Sequence, residues 1–405
     1  MPLRKLTNLD MEHMEYDSVS TVTLVSGWDS NANNTFKFQH AVSTVMKLNP
    51  VLTGKLVKTS SGVQVETGVF GVSDVFQVIQ FPPNTSFSMP VSAPEKVKVL
   101  QQLALEFNSE IKTGTMLLKN KSNIFEVGLM ALPSGCACYK VSISHAIADG
   151  STYYNVMQQL SDVWNCREPS ILLDWTPIPE VYPFKRSLSE ISLLDKLQVS
   201  SNLIFLVFQE WLLKKWRGER TARCMVVNKS ACKREKLEGN DGTCEFLSTN
   251  DVVTAALVVA STADNLLMAA DLRGKQSQHP SLSHCTAGNY VKGIFFRGAG
   301  STPSMVRKKV LDRQSWRNNS SQHFLLERQN FCLVTNWVSF MTCVEGGGLV
   351  VVGHMPSMSA KAPFDAAIIF KLDNSKSIAV CHNIRHIVAD QALCQTKGLF
   401  EVVQN

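Results

Sequence analysis

His145-Ala146-Ile147-Ala148-Asp149-Gly150 places an imidazole, a carboxylate and a glycine within six residues. An imidazole with the ordinary pKa of about 6.5 is largely neutral near neutral pH and can take a proton from a hydroxyl or amine. Such general-base help is worth about 10²–10⁴ in rate. The structural alternative is a buried, satisfied histidine beside an aspartate that caps a helix. The flanking pattern decides where the ring stands. Val141 and Ile143 alternate with Lys140, Ser142 and Ser144, as in a strand. Val156, Leu160, Val163 and Trp164 then recur at helical spacing. The histidine therefore sits at the end of a strand, with Asp149 in the turn that follows. Gly150 can take a positive φ there and let another segment pass close.

Composition limits the function classes. A chain of 405 residues suggests two or three domains and can bury a sizeable core. It is 44% hydrophobic and 18% charged, a balance that argues against long disorder. The net charge of +6 is mild and suits an anionic ligand better than a nucleic-acid surface, so no nucleic-acid partner is expected. Eleven cysteines without paired CxxC spacing indicate neither a zinc site nor a disulfide framework. Free thiols in a reducing compartment are the expectation, with no bound metal. Met1 to Asp10 holds no apolar core of signal-peptide length, so a cytoplasmic location is expected. No GxSxG, Walker A or GxGxxG motif is present, and no permanently bound cofactor is expected.

The positioning elements follow from periodicity. Val19 to Val25 reads as a strand and Phe36 to Leu48 as an amphipathic helix. Short strands follow near Lys55 to Lys58 and Val63 to Thr67. Glu95 to Phe107 reads as a helix, and Phe125 to Leu132 as the partner of the strand that delivers His145. Cys136 and Cys138 at the start of that strand read as core filling. Pro169, Pro177, Pro179 and Pro183 mark the start of a crossover. The apolar run Leu203 to Phe208, with Trp211 to Arg217 after it, is too short to span a bilayer. It reads as a helix across the domain junction, with membrane-surface contact as the alternative. The basic stretch Lys214 to Lys236 reads as a solvated face, with a phosphate-binding rim as the alternative.

In the second half, Ser248-Thr249-Asn250-Asp251 forms a capping-box pattern ahead of Val252 to Ala260. Leu266 to Ala270 reads as a strand leading into Asp271-Leu272-Arg273-Gly274-Lys275. Gly346-Gly347-Gly348 precedes the strand Leu349 to Val352. Ala366 to Leu372 and Ser377 to Ile384 read as a hairpin. After it, His386-Ile387-Val388-Ala389-Asp390-Gln391 echoes the opening hexapeptide, and Ile384 matches Ile143. The echo points to two domains of similar topology. It lacks the glycine, so His386 reads as structural.

The ordered set of motifs resembles the BAHD-type acyltransferases, within the superfamily of chloramphenicol acetyltransferase and peptide-synthetase condensation domains. His145 to Gly150 matches the HxxxDG motif. Leu9-Asp10, Asn49 to Leu56, Ser248 to Leu257, Asp271 to Gly274, Gly288-Asn289 and Thr335 to Trp337 match in the right order across nearly the whole chain. The family's DFGWG motif is replaced by Val344-Glu345-Gly346-Gly347-Gly348. The resemblance implies an α/β fold of layered α+β type, with two chloramphenicol-acetyltransferase-like domains of similar topology around a central tunnel. Residues 1–183 would form the first domain, 184–215 the crossover and 216–405 the second. It implies a monomer that moves an acyl group from an acyl-CoA co-substrate to a hydroxyl or amine of a small-molecule acceptor. His145 would be the general base, and Thr335 and Trp337 would face the developing oxyanion. Asp149 would pair with Arg273 and hold the turn rather than join a triad. Ser248, Thr249 and Lys275 would contact coenzyme A. Two alternatives stand beside this: a condensation-type enzyme fed by a carrier-protein thioester, and a non-catalytic binding protein that keeps the fold.

Overall fold

The computed structural model describes residues 3–7, 10–11, 13–29, 32–83, 85–107, 111–178, 222–261, 265–273, 282–297, 302–312, 331–358, 365–384 and 398–403. The crossover expected at 184–215, the apolar run within it, Lys275 and His386 lie outside these residues.

Two large sheets carry the fold. In spatial order the first runs Val350–Pro356, Val19–Ser26, Cys136–Ile143, Phe125–Leu132 and Phe76–Ile79. Its pairs are antiparallel except the last, which is parallel. Alternation assigns each strand two faces, and both are covered. On one face, Tyr139, Val141 and Ile143 pack with Phe38, Val42 and Val45 of helix Ala32–Leu48 and with Tyr153, Val156 and Leu160 of helix Gly150–Trp164. On the other, Val22, Leu24 and Met130 meet Val97, Leu100 and Leu103 of helix Ala93–Glu106. Val226 and Phe370 of the second sheet, and Leu372 just past it, join that same cluster. The contact between the two halves is therefore continuous apolar core. Burying each such side chain contributes about 1.5–3 kcal/mol.

The second sheet runs Val291–Arg297, Asn265–Asp271, Phe331–Asn336, Asp365–Lys371, Ile378–His382, Arg223–Val227 and Phe400–Val402. Its central part repeats the first sheet. Phe331–Asn336 is parallel to Asp365–Lys371, as Phe76–Ile79 is to Phe125–Leu132. Asp365–Lys371, Ile378–His382 and Arg223–Val227 are then antiparallel in turn, like Phe125–Leu132, Cys136–Ile143 and Val19–Ser26. Helix Thr249–Ser261 covers one face through Val253, Leu257 and Val258. In this correspondence Ile378–His382 stands where Cys136–Ile143 stands, so the approach to the His386 echo and the approach to His145 are equivalent strands. A third, small sheet pairs Leu3–Lys5 with Gly62–Glu66 and Lys55–Thr59.

Several expectations need correction. The strand after the triple glycine pairs with Val19–Ser26, so a segment of the second half completes the first sheet. A cut of the chain into residues 1–183 and 216–405 does not describe this exchange. Arg223–Val227 is a buried strand hidden inside the basic stretch, and among its described residues the surface helix is Lys229–Glu238. Not all thiols are free. Cys224 and Cys381 are opposed in register on neighbouring antiparallel strands, with Cα atoms 4.2 Å apart, and form a disulfide. Sequence spacing cannot show this, because strand register alone brings the two together across 157 positions. Cys136 and Cys138 are free and buried, as core filling requires.

In the segment Val344 to Gly348, Gly346, Gly347 and Gly348 all take positive φ (91°, 59° and 96°). The turn they build accepts a hydrogen bond from the Trp164 indole to the Gly346 carbonyl at 2.9 Å. No helix among the described residues is long and apolar enough to cross a membrane.

Candidate active site

His145 leaves strand Cys136–Ile143 in a tight turn closed by Ile147 N–H donating to the Ser144 carbonyl at 3.1 Å. Its ring is half-buried. Ring atom Nδ1 lies 3.1 Å from Asn289 Oδ1. The Asn289 amide orientation is set by its surroundings. Its Nδ2 donates to Asp10 Oδ1 at 2.9 Å and to the His145 carbonyl at 2.8 Å. Both of those partners are acceptors, so the amide cannot be turned round. Asn289 Oδ1 must then accept from His145 Nδ1–H. That fixes the tautomer and leaves the Nε2 lone pair as the available proton acceptor. Asp10 is itself held, accepting from Thr7 N–H at 2.9 Å and donating its own N–H to the Thr7 hydroxyl at 3.1 Å.

One flank of the His145 ring is covered. The His13 imidazole stacks on it with centroids 4.6 Å apart and planes 25° from parallel. Tyr16 stands edge-on to both, 5.0 Å from His13 and 5.7 Å from His145. Burial first, and the neighbouring His13 charge second, push the His145 pKa down to about 3. The ring is therefore neutral over the whole physiological range.

Asp149 turns away from the imidazole. It caps helix Gly150–Trp164, accepting Thr152 N–H at 2.9 Å. Its carboxylate receives a bidentate pair from Arg273, with Nη1 to Oδ2 at 2.9 Å and Nη2 to Oδ1 at 3.2 Å. Tyr290 N–H adds a fourth bond at 2.9 Å. Burial alone would raise the Asp149 carboxyl, but the Arg273 charge and these donors hold it below the usual carboxylate range. Arg273 also reaches the Thr286 carbonyl at 2.7 Å, Asp271 at 2.9 Å, the Thr152 hydroxyl at 3.0 Å and the Gly288 carbonyl at 2.8 Å. The guanidinium thus clamps segment Gly288–Tyr290 of the second half onto the turn of the first. That clamp is what delivers Asn289 to His145.

Gly150 begins its helix without a positive φ. Its lack of a side chain serves a different need. A Cβ there would lie 3.0 Å from Trp337 Nε1, so the indole packs directly against the glycine. Trp337 is buried, follows strand Phe331–Asn336 and stands edge-on to Tyr154 at 6.0 Å. Its indole N–H meets no acceptor among the described residues. Thr335 lies two residues earlier, half-buried at the end of the same strand.

Ser248 and Thr249 stand at the start of helix Thr249–Ser261. The Ser248 hydroxyl donates to Asp251 Oδ2 at 2.7 Å and accepts the Asp251 N–H at 3.2 Å, so it is engaged in the cap. Lys275 is outside the described residues. Among those residues no group of three or more His, Cys, Asp or Glu gathers as a metal site.

The sequence reading missed the roles of His13, Tyr16 and Asp10. Asp10 and Asn289 stood out only as parts of motifs. For His13 no periodicity or spacing gives a signal, because its contact with His145 is made through the fold.

No protein-family model matches the sequence, and no curated protein does. Solved structures do match. Vinorine synthase is similar over 99% of this chain and 94% of its own, at 12% identity and a TM-score of 0.66. TRI101 of F. sporotrichioides, solved with coenzyme A and T-2, is similar over 100% of both chains at 11% identity and a TM-score of 0.67. The starter condensation domain of rhizomide synthetase RzmA, solved with C8-CoA, is similar over 98% of this chain and 94% of its own at 10% identity and a TM-score of 0.61. At these identities the likeness is one of fold, the two-domain mixed α/β architecture of those structures.

Proposed function

We propose that this protein is an acyltransferase moving an acyl group from an acyl-CoA thioester to a hydroxyl or amine of a small molecule, with His145 as general base. The observation that carries the reading is the fixed tautomer. Asn289 holds Nδ1–H, so Nε2 presents a lone pair from a neutral ring. In the proposed reaction Nε2 takes the proton of the acceptor's O–H or N–H while the oxygen or nitrogen attacks the thioester carbon. The carbonyl oxygen becomes an oxyanion in the tetrahedral intermediate. The Trp337 indole N–H, which lacks a protein acceptor among the described residues and lies against Gly150, is the donor assigned to it, and Thr335, two residues earlier, is assigned as a second. Collapse re-forms the carbonyl and breaks the carbon–sulfur bond. The imidazolium proton goes to the leaving thiolate, which departs as free coenzyme A. Ser248, Thr249 and Lys275 belong to the donor side in this reading. TRI101 has been solved with coenzyme A together with T-2 or deoxynivalenol, which supports these kinds of partner. The test is thiol release from a panel of acyl-CoAs with hydroxyl and amine acceptors. Acceptor-dependent release supports the reading. Saturable acyl-CoA binding without release under any acceptor contradicts it and favours a binding protein.

A further inference from the structure

We propose that His13 is a positioning residue for the base: neutral, its imidazole seats the His145 ring, and protonated, it opposes the charge His145 must take up. The kinetic part of this inference rests on the acyl-transfer reading; the coupling of the two rings does not.

The geometry leaves His145 little freedom. Asn289 holds Nδ1, and His13 covers a face at 4.6 Å. Rotation of the His145 ring would break the first contact and drive its edge into the second. Tyr16, edge-on to both rings, closes the cluster. His13 belongs to the short turn His13–Glu15, which packs against helix Gly114–Asn120. Chemistry then distinguishes the two states of His13. A base that accepts a proton becomes an imidazolium. A neutral aromatic face stacked on that cation attracts it, whereas a second imidazolium at this distance repels it.

The charged and titratable groups around the ring come from each packed element. Glu15 and Tyr16 share its turn, and the Glu15 carboxylate accepts from the Thr115 hydroxyl at 2.5 Å. Helix Gly114–Asn120 carries Lys119 at its exposed end. Asp10 is tied through Asn289, and Asp149 is committed to Arg273. Burial first, and the His13 charge second, lower the proton affinity of His145, so a proton on either ring opposes one on the other. In this proposal the acid limb of transfer reports the His13 charge and not the base itself.

The experiment compares wild type with His13→Phe, which keeps a flat ring without a titrating nitrogen, and with His13→Gln as a second non-titrating variant. Thiol release is measured against pH, and ¹⁵N-histidine NMR follows the His145 ring without substrate. Wild type should lose about tenfold or more in kcat on acidification, at a pH where the His145 ring is still neutral, with KM little changed. In His13→Phe that limb should move down by at least about one pH unit. The His145 resonances should respond to the same titration in wild type and lose that response in both variants. An unchanged acid limb together with unchanged His145 resonances in His13→Phe or His13→Gln overturns the inference. Coupled resonances without thiol release from any acyl-CoA would keep the pairing of the rings and overturn the acyl-transfer reading instead.

Discussion

Arg273→Ala and Asp149→Asn should each destabilise the protein, and together by less than the sum. The Arg273 and Asp149 side chains are 0% and 1% exposed, so neither charge has water to fall back on. Removing the guanidinium leaves Asp149 buried with only the N–H groups of Thr152 and Tyr290 as donors. Breaking a buried pair in this way costs about 3–5 kcal/mol. At the unfolding entropy typical of a chain this long, that corresponds to a fall in melting temperature of about 4–6 °C. Asp149→Asn keeps a side chain that can cap the helix, yet it turns an acceptor into a partial donor facing Arg273. The double variant no longer strands Asp149, while the loss of the Asp271 contact is common to both Arg273 variants and cancels, so a coupling of about 1–3 kcal/mol should appear in the cycle. Arg273→Lys should recover little, because an ammonium cannot serve Asp149, Asp271, Thr152, Thr286 and Gly288 from one planar fork. Denaturant unfolding of the four proteins gives the cycle. Additivity within about 0.5 kcal/mol would refute the pairing as the element that joins the halves.

Trp337→Phe keeps the packing against Gly150 and removes the indole N–H, so kcat should fall about 10²-fold with little change in melting temperature. Gly150→Ala should give a milder loss, since its Cβ would meet Trp337 Nε1 at 3.0 Å and push the indole aside. Wild-type kcat in Trp337→Phe would remove Trp337 from the site. A third prediction concerns acid stability. His354 is fully buried between the Thr23 hydroxyl at 2.9 Å and the Tyr154 hydroxyl at 2.8 Å, and burial lowers its pKa to about 3. Burial, then Arg223, lowers that of His382 to about 4. Both rings stay neutral in the folded protein while the unfolded chain takes up their protons near pH 6.5, so stability is complete above that pH and falls below it. Each contributes a slope of about 1.4 kcal/mol per pH unit down to its folded pKa. His145, with its pKa near 3, adds a slope of the same sign, and His354→Gln should remove its own share, which equilibrium unfolding from pH 7 to pH 4.5 can read; an unchanged slope would contradict it.

The elements that hold the site follow from local pattern. Alternation through Val141 and Ile143, ended by His145, marks the strand end where the structure has it, and the Ser248–Asp251 capping box forms as written. The contact of Arg273 with Asp149 comes from resemblance, not periodicity, because 124 residues separate the two. What local pattern cannot carry is partner choice between distant segments. Val350–Pro356 has the same apolar run whether it joins the second sheet or, as it does, the first. Arg223–Val227 is masked by the cations on either side of it. Gly150 is legible as a glycine that must be small, but the reason, an indole from residue 337, depends on the packing of two halves. Asn289 shows the same limit: its type and motif are visible, while its bridge from Asp10 to His145 exists only in the folded chain.

The central claim is that His145 Nε2 takes the acceptor's proton. Thiol release by His145→Ala, with an acyl-CoA and acceptor that the wild type turns over, tests it most directly. The variant should fold with a melting temperature close to wild type and lose about 10²–10⁴ in kcat. A folded His145→Ala protein that releases thiol at the wild-type rate would contradict the account.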